Sequence, residues 1–197
     1  MTGVILAGGE SARMGRDKAF LELGGEKVIE RVISALFGIV KKIIIVTNDP
    51  LKYAGLGLET ARDIYPGVGV LGGIHTGLSY MRGDSGFFCA CDMPFVNPDL
   101  AKFIISKKGR RAAAVIPKVG GELEPLFAVY SKKCLVPAED AIKAGERRIV
   151  SFFDKVRVKE IPEGELLAID PGLLSFMNLN TPGDLERAKA IIGRRGK

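Results

Sequence analysis

The stretch MTGVILAGGESARMGRDK, residues 1–18, runs an apolar segment directly into a glycine pair and then a cationic loop. Residues 3–7 (GVILA) read as a buried strand. The residues after it fit neither of two better-known phosphate loops. A P-loop needs Lys-Ser/Thr after its last glycine, and here Gly15 is followed by Arg16. A dinucleotide fingerprint needs G-x-G-x-x-G, which is absent. The physical argument for an anion survives without either pattern. Gly8 and Gly9 let backbone N–H groups approach a ligand with no Cβ in the way. With Ser11 they can cradle phosphate oxygens. Arg13 offers a planar fork and Lys18 a mobile point charge. Open α/β sheets bind ligands at the carboxyl ends of their strands, which is where this loop falls.

Moving outward, strand-length apolar runs alternate with helical patterns. Val28, Ile29, Val32, Ile33, Leu36 and Phe37 recur at helical spacing, with Gly38 to end the helix. KIIIVTN (42–48) is apolar throughout its centre, as strands buried on both faces are. LETARD (58–63) is a shorter strand, residues 74–82 are helical, and FFCAC (87–91) is another buried strand. Asn97-Pro98-Asp99 announces a helix with a cap, a first-position proline and an acid in the first turn. AAAVIP (112–117) is the next strand. Gly120-Gly121 separate two extended runs, 113–119 and 122–130, as a hairpin would. A helix follows near 132–144, then a strand at 157–161. Thr181-Pro182-Gly183-Asp184 starts a final helix. This rhythm predicts an α/β fold: a three-layer Rossmann-like sandwich around a mainly parallel sheet. No long polar linker divides the chain, so residues 1–197 are expected to form a single domain.

The composition narrows the function classes. The chain has 197 residues and a net charge of +6, which favours an anionic partner. No RNP motif, zinc-finger spacing or basic segment with interleaved aromatics is present, which argues against nucleic acid. No apolar run is long enough to span a bilayer, and no basic segment precedes an apolar one at the N-terminus. Three cysteines, an odd number, suit a reducing cytoplasm. Cys89 and Cys91 sit in an apolar run, and with one histidine in the chain they read as core rather than as a metal site. The lone His75 likewise reads as structural.

L-A-G-G-x-S-x-R-M-G-x-D-K resembles the signature loop of nucleotidyltransferases with a nucleotide-diphospho-sugar transferase fold. The Arg-Met-Gly and Asp-Lys form is similar to the molybdenum cofactor guanylyltransferase (MobA) family. That resemblance implies that Leu6, Ala7, Gly8, Gly9, Arg13 and Lys18 wrap the GTP phosphates. CACDMPF ends a strand at Asp92, and a carboxylate there suits Mg²⁺, which takes one or two carboxylates plus substrate and water. The resemblance makes Asp92 the magnesium ligand and, with Arg13 and Lys18, a catalytic residue. It places Asp63 and Gly72, in ARDIYPGVGVLGGI, beside the guanine and ribose, and Asn48 near the base. In similar proteins this loop carries a second proline, which PGVGVLGG lacks.

NLNTPGDL (178–185) resembles the family's N-x-N-T-P-x-D-L segment. Asn178 and Asn180 alternate on an extended run and are candidates for acceptor binding, although Thr181 and Pro182 also spell helix-cap chemistry. Arg147-Arg148 resembles a family G-x-R-R stretch, and Glu124 stands where the family often has His. The resemblance implies a cytoplasmic, Mg²⁺-dependent guanylyltransferase. It would move GMP from GTP to the phosphate of a molybdopterin-type acceptor, with partner proteins of cofactor biosynthesis possible. About 1–100 would hold the nucleotide and about 101–197 the acceptor. Siblings using CTP, cobinamide phosphate or a sugar 1-phosphate share the loop chemistry. A non-catalytic nucleotide binder would have little need of Asp92.

Overall fold

The computed structural model describes residues 1–8 and 17–195, with Arg195 by its backbone alone. Gly9 and Arg13, both expected to bind nucleotide, lie outside the described residues.

The strands form where the apolar runs predict. β1 (Thr2–Leu6), β2 (Lys42–Val46), β3 (Glu59–Ala61), β4 (Ser85–Ala90), β5 (Ala114–Val119), β6 (Phe127–Ser131) and β7 (Val158–Ile161) make one sheet in the order β7-β5-β6-β4-β1-β2-β3. β6 runs antiparallel to both β4 and β5, and the other neighbours are parallel. Side chains on each strand alternate between two apolar layers. On one face Ile5, Ile45, Phe87 and Val129 pack under α1 (Val28–Leu36) and α3 (Pro98–Ser106). On the other, Val4, Ile44, Phe88 and Tyr130 pack under α2 (Val70–Tyr80) and α4 (Leu135–Lys143). Helices on both faces of a mostly parallel sheet make the expected three layers. Cys89 is fully buried in this core, as its apolar neighbours require.

A smaller cluster of Leu23, Val28, Phe95, Leu179 and Ala188 docks the final helix, α5 (Pro182–Arg195), beside this core. The predicted caps are present. Asn97 Oδ1 accepts from the Asp99 and Leu100 N–H groups at 2.9 and 3.4 Å. Asp184 Oδ2 accepts from the Thr181 N–H at 2.8 Å and its hydroxyl at 2.9 Å.

Three details differ from the sequence expectation. Phe37 lies beyond the end of α1 and is exposed, and Gly38 turns the chain at φ +83°. The second glycine-rich stretch is only partly a loop, because Gly72 and Gly73 are already inside α2, which starts at Val70. A Cβ on Gly72 would stand 2.9 Å from the Tyr65 carbonyl oxygen, so that helix turn packs on loop backbone only as glycine. The run 122–130 is not one strand. Glu122–Leu123 pair briefly with Lys118–Val119 around the glycine turn. A turn then closes between the Phe127 N–H and the Glu124 carbonyl at 3.3 Å, and β6 inserts between β4 and β5. Pro125 explains the break, since it brings no N–H to a ladder.

No helix among the described residues is long and apolar enough to cross a membrane.

Candidate active site

The register of the sheet builds the site. Leu6 pairs with Val46 on one side and Ala90 on the other, and Val46 pairs with Ala61. These four residues end their strands in one row. Two positions beyond each lie Gly8, Asn48, Asp92 and Asp63. Backbone bonds continue the row for one more step, from the Ala7 N–H to the Val46 carbonyl at 2.8 Å and from the Cys91 N–H to the Leu6 carbonyl at 3.0 Å. Four separate sequence motifs therefore leave the carboxyl edge of the sheet together.

Above that edge is a cavity of about 230 Å³. Leu6, Ala7, Gly8, Lys18, Asp63, Asp92 and Asn180 line it, all of them predicted from sequence. A second hollow of about 580 Å³ shares Ala7, Gly8 and Asp63 and adds Asn48, Gly67 and Gly69. Gly72 and Asn178 line neither. Gly73, the next residue, faces the first cavity in place of Gly72. Asn178 donates to the Phe176 carbonyl at 3.3 Å, and its buried Oδ1 has no hydrogen-bond partner among the described residues.

Lys18 joins the two ends of the chain. Its ammonium stands 3.6 Å from Asp92 Oδ2 and donates to Asn180 Oδ1 at 2.7 Å. The local sequence holds each partner. Asp17 Oδ1 accepts from the Ala19 N–H at 3.1 Å and fixes the short 3₁₀ turn Lys18–Phe20. The Leu179 N–H donates to the Asp92 carbonyl at 3.0 Å, and buried Leu179 anchors the strap beside it. The Asn180 N–H donates to Asp184 Oδ2 at 3.0 Å. Cap chemistry and site chemistry thus share one segment: Asp184 holds the backbone of Asn180, and the side chain of Asn180 meets Lys18.

Electrostatics mark the carboxylates. Burial raises the Asp92 carboxyl above its ordinary range, against the opposing pull of Lys18. Burial also raises Asp63, against the nearby Asn48 amide and Thr76 hydroxyl, and its Oδ1 has no hydrogen-bond partner among the described residues. A Cβ on Gly8 would sit 3.4 Å from Asp63 Oδ2 and 4.0 Å from the Asn48 amide nitrogen, so this backbone runs directly over both. α2 begins at the same cavity, where Val70 lies on its wall, and its N-cap residue, Gly69, brings no side chain to cap the first turn. Uncapped N–H groups and the helix dipole make that end attractive to an anion.

The MobA-like NTP transferase domain model matches residues 3–159.

The chain belongs to the MobA-like NTP transferase family.

A protein named molybdenum cofactor guanylyltransferase from Desulfosudis oleivorans is 40% identical over 98% of this chain and 96% of its own. A probable molybdenum cofactor guanylyltransferase from Pelotomaculum thermopropionicum is 40% identical over 96% of this chain and 92% of its own. Among solved structures, molybdopterin-guanine dinucleotide biosynthesis protein A from Archaeoglobus fulgidus superposes with a TM-score of 0.85. It is 33% identical, and the match covers 98% of this chain and all of that one. The fold of this MobA-like chain is therefore the nucleotide-diphospho-sugar transferase fold expected from its signature loop.

Sequence reasoning missed several residues of this MobA-like site. Asp17 lines both hollows and pairs with Lys52 at 2.8 Å. Leu126 and Cys91 complete the cavity wall. The signal for Asp17 and Lys52 was in plain sight as Asp-Lys after the loop and N-D-P-L-K after β2. Leu126 became visible only with the insertion of β6. Arg147, noted from G-x-R-R, donates to the Gly67 carbonyl and so tethers the loop that walls the second hollow. His75 is buried in α2 with its ring edge against Tyr65, 5.0 Å between centroids, and lines neither hollow.

Proposed function

We propose that the chain transfers GMP from GTP to the phosphate of molybdopterin or its metal-loaded form, releasing pyrophosphate. The observation that carries this reading is Lys18, which bridges Asp92 and Asn180 inside one cavity at the carboxyl edge of the sheet. A cation sits between the carboxylate of the N-terminal half and the amide of the C-terminal strap, where a phosphate chain and an acceptor would meet. The names of the relatives at 40% identity support the choice of substrates.

An oxygen of the acceptor phosphate attacks the α-phosphorus of GTP in line. The bond from the α-phosphorus to the bridging oxygen breaks, and pyrophosphate leaves with its electrons. The nucleophile is already anionic, so no strong general base is needed. The work of the protein is positioning and charge neutralisation. Gly8 lets backbone approach the phosphates. Lys18 neutralises charge growing on the leaving group, with Arg13 assigned the same task by family resemblance. Asn48, Asp63 and the Arg147-tethered loop hold the base and ribose, and Asn180 holds the acceptor, while Asn178, which lines neither hollow, braces the same segment through the Phe176 carbonyl. In this reading about 1–100 binds nucleotide and about 101–197 binds acceptor.

Mg²⁺ is the proposed cofactor. It prefers few protein oxygens, completed by substrate and water. The Asp92 carboxylate fits that demand, with the unpartnered Oδ1 of Asp63 on the same cavity. Among the described residues, no three of His, Cys, Asp and Glu gather closely enough to cage an ion. When bound, Mg²⁺ would neutralise charge on the nucleotide phosphates.

A pyrophosphate-release assay with Mg²⁺, molybdopterin and each of the four NTPs tests the proposal. Release with GTP, abolished by chelator and restored by Mg²⁺, is the expected result. Release with CTP alone would keep the chemistry and overturn the base. No release with any NTP, with nucleotide binding retained, would overturn the enzyme reading.

A further inference from the structure

A second concave surface lies at the opposite edge of the sheet. It encloses about 540 Å³ and is lined by Lys107, Arg110, Arg111, Arg157 and Lys159 with a few small residues. These residues sit just before β5 and at the start of β7, two parallel strands whose carboxyl ends point the other way. The surface is therefore remote from the cavity that holds Lys18 and Asp92, and the proposed transfer makes no use of it.

The lysines around it are occupied. The carboxyl end of α3 carries the negative end of the helix dipole, which attracts cations. Lys108 donates to the Gly109 carbonyl at 3.0 Å, and Lys159 to the Lys107 carbonyl at 3.3 Å. Lys133 donates to the Arg110 carbonyl at 3.2 Å, and Lys107 pairs with Glu165 at 2.5 Å. The arginines differ. Among the described residues, the guanidinium groups of Arg110, Arg111 and Arg157 have neither a hydrogen bond nor an ion pair. Three planar forks, each able to take a carboxylate in two bonds, thus share one groove. Positive charge is dense there, and burial together with Lys133 pushes the Lys108 ammonium below its ordinary range.

Two features choose among anionic ligands. β7 is the terminal strand of the sheet, so one side of its backbone is open to an added chain. It exposes Lys159 and Glu160 on alternate sides; Glu160 is paired with Lys118 at 3.1 Å, so the charge added to the groove's side of the strand is positive and favours an acidic segment over an uncharged one. Among the described residues no aromatic side chain lines the groove, and nearby Phe103 is covered by Lys107 at 4.4 Å. A single-stranded nucleic acid would find nothing to stack on.

We propose that this groove receives an extended acidic segment of a partner protein, laid along the edge of β7 with its carboxylates on Arg110, Arg111 and Arg157. Fluorescence anisotropy at low salt tests it, with a labelled peptide of alternating Glu and Val as probe. The same measurement is made with a single-stranded oligonucleotide of equal charge. The parent chain is compared with two full-length variants: Arg110→Gln/Arg111→Gln/Arg157→Gln, and a control that removes equal charge elsewhere, Lys41→Gln/Lys102→Gln/Lys155→Gln. The expected result is peptide binding that the groove variant weakens roughly tenfold or more and the control leaves nearly intact. Pyrophosphate release should be equal in all three. Equal weakening by the control would reduce the effect to net charge and overturn the proposal. Absence of peptide binding would overturn it too, as would tighter, groove-dependent binding of the oligonucleotide.

Discussion

Replacing Asp92 with Asn is expected to cut turnover by about two orders of magnitude or more, while the chain melts no earlier than the parent at pH 7. The two halves of that expectation have one cause. Burial raises the Asp92 carboxyl, and Lys18 at 3.6 Å only partly offsets it. The folded chain therefore holds this proton more tightly than the unfolded chain does. The contribution of such a group to stability is fullest below the ordinary carboxylate range and is lost as pH rises through the raised value. At pH 7 the buried charge weighs against folding, and Asn removes that charge. The melting temperatures of variant and parent should converge as pH falls below about 4. Lys18→Met should lose about a hundredfold to a thousandfold in turnover, the usual effect of removing one well-placed donor. Calorimetry across pH, paired with steady-state rates, checks the account. A variant that melts well below the parent at every pH would assign Asp92 to structure.

The second large effect lies beneath the site. Gly77 is in α2, where the helix crosses the sheet. A Cβ there would stand 2.6 Å from Phe88 Cε1 and 2.7 Å from Val4 Cγ1, and both of those side chains are fully buried. Real Cβ atoms do not approach so closely, so α2 must move away from the sheet. Gly77→Val adds two methyl groups to that collision and should cost about 3 kcal/mol. For a chain of this size that lowers the melting temperature by roughly 6–12 °C. The same shift displaces Val70 and Gly73, which wall the cavity, so KM for nucleotide should rise in the fraction that folds. Thermal unfolding and initial rates measure both. A variant with unchanged stability would mean that α2 packs elsewhere.

Much of this site was legible in the sequence because strand ends are legible. An apolar run that stops at Leu6, Val46, Ala61 or Ala90 fixes where the chain leaves the sheet, and the chemistry-bearing residue follows two positions later each time. Parallel pairing then aligns those exits without further information. Caps were legible for a similar local reason, since Asn97 and Asp184 bond within a few residues of themselves. Non-local pairing was not. Nothing between residues 122 and 130 states that β6 will enter between β4 and β5, because that choice depends on partners far away in the chain. Glycines misled for a related reason. Gly72 reads as a loop residue by propensity, yet it sits in a helix, where glycine is required because the Tyr65 backbone leaves no room for a Cβ. The bond from Lys18 to Asn180 joins residues 162 apart and could be reached only through the motif resemblance.

One cavity should join a nucleotide to a phosphorylated acceptor. GTP labelled at its α-phosphate, incubated with Mg²⁺, molybdopterin and the chain, tests it most directly. The label should appear on the acceptor, in step with pyrophosphate release, and should stay on GTP when Lys18 or Asp92 is replaced. Label found only in free GMP, or transferred equally well by the Asp92→Asn variant, would contradict the account.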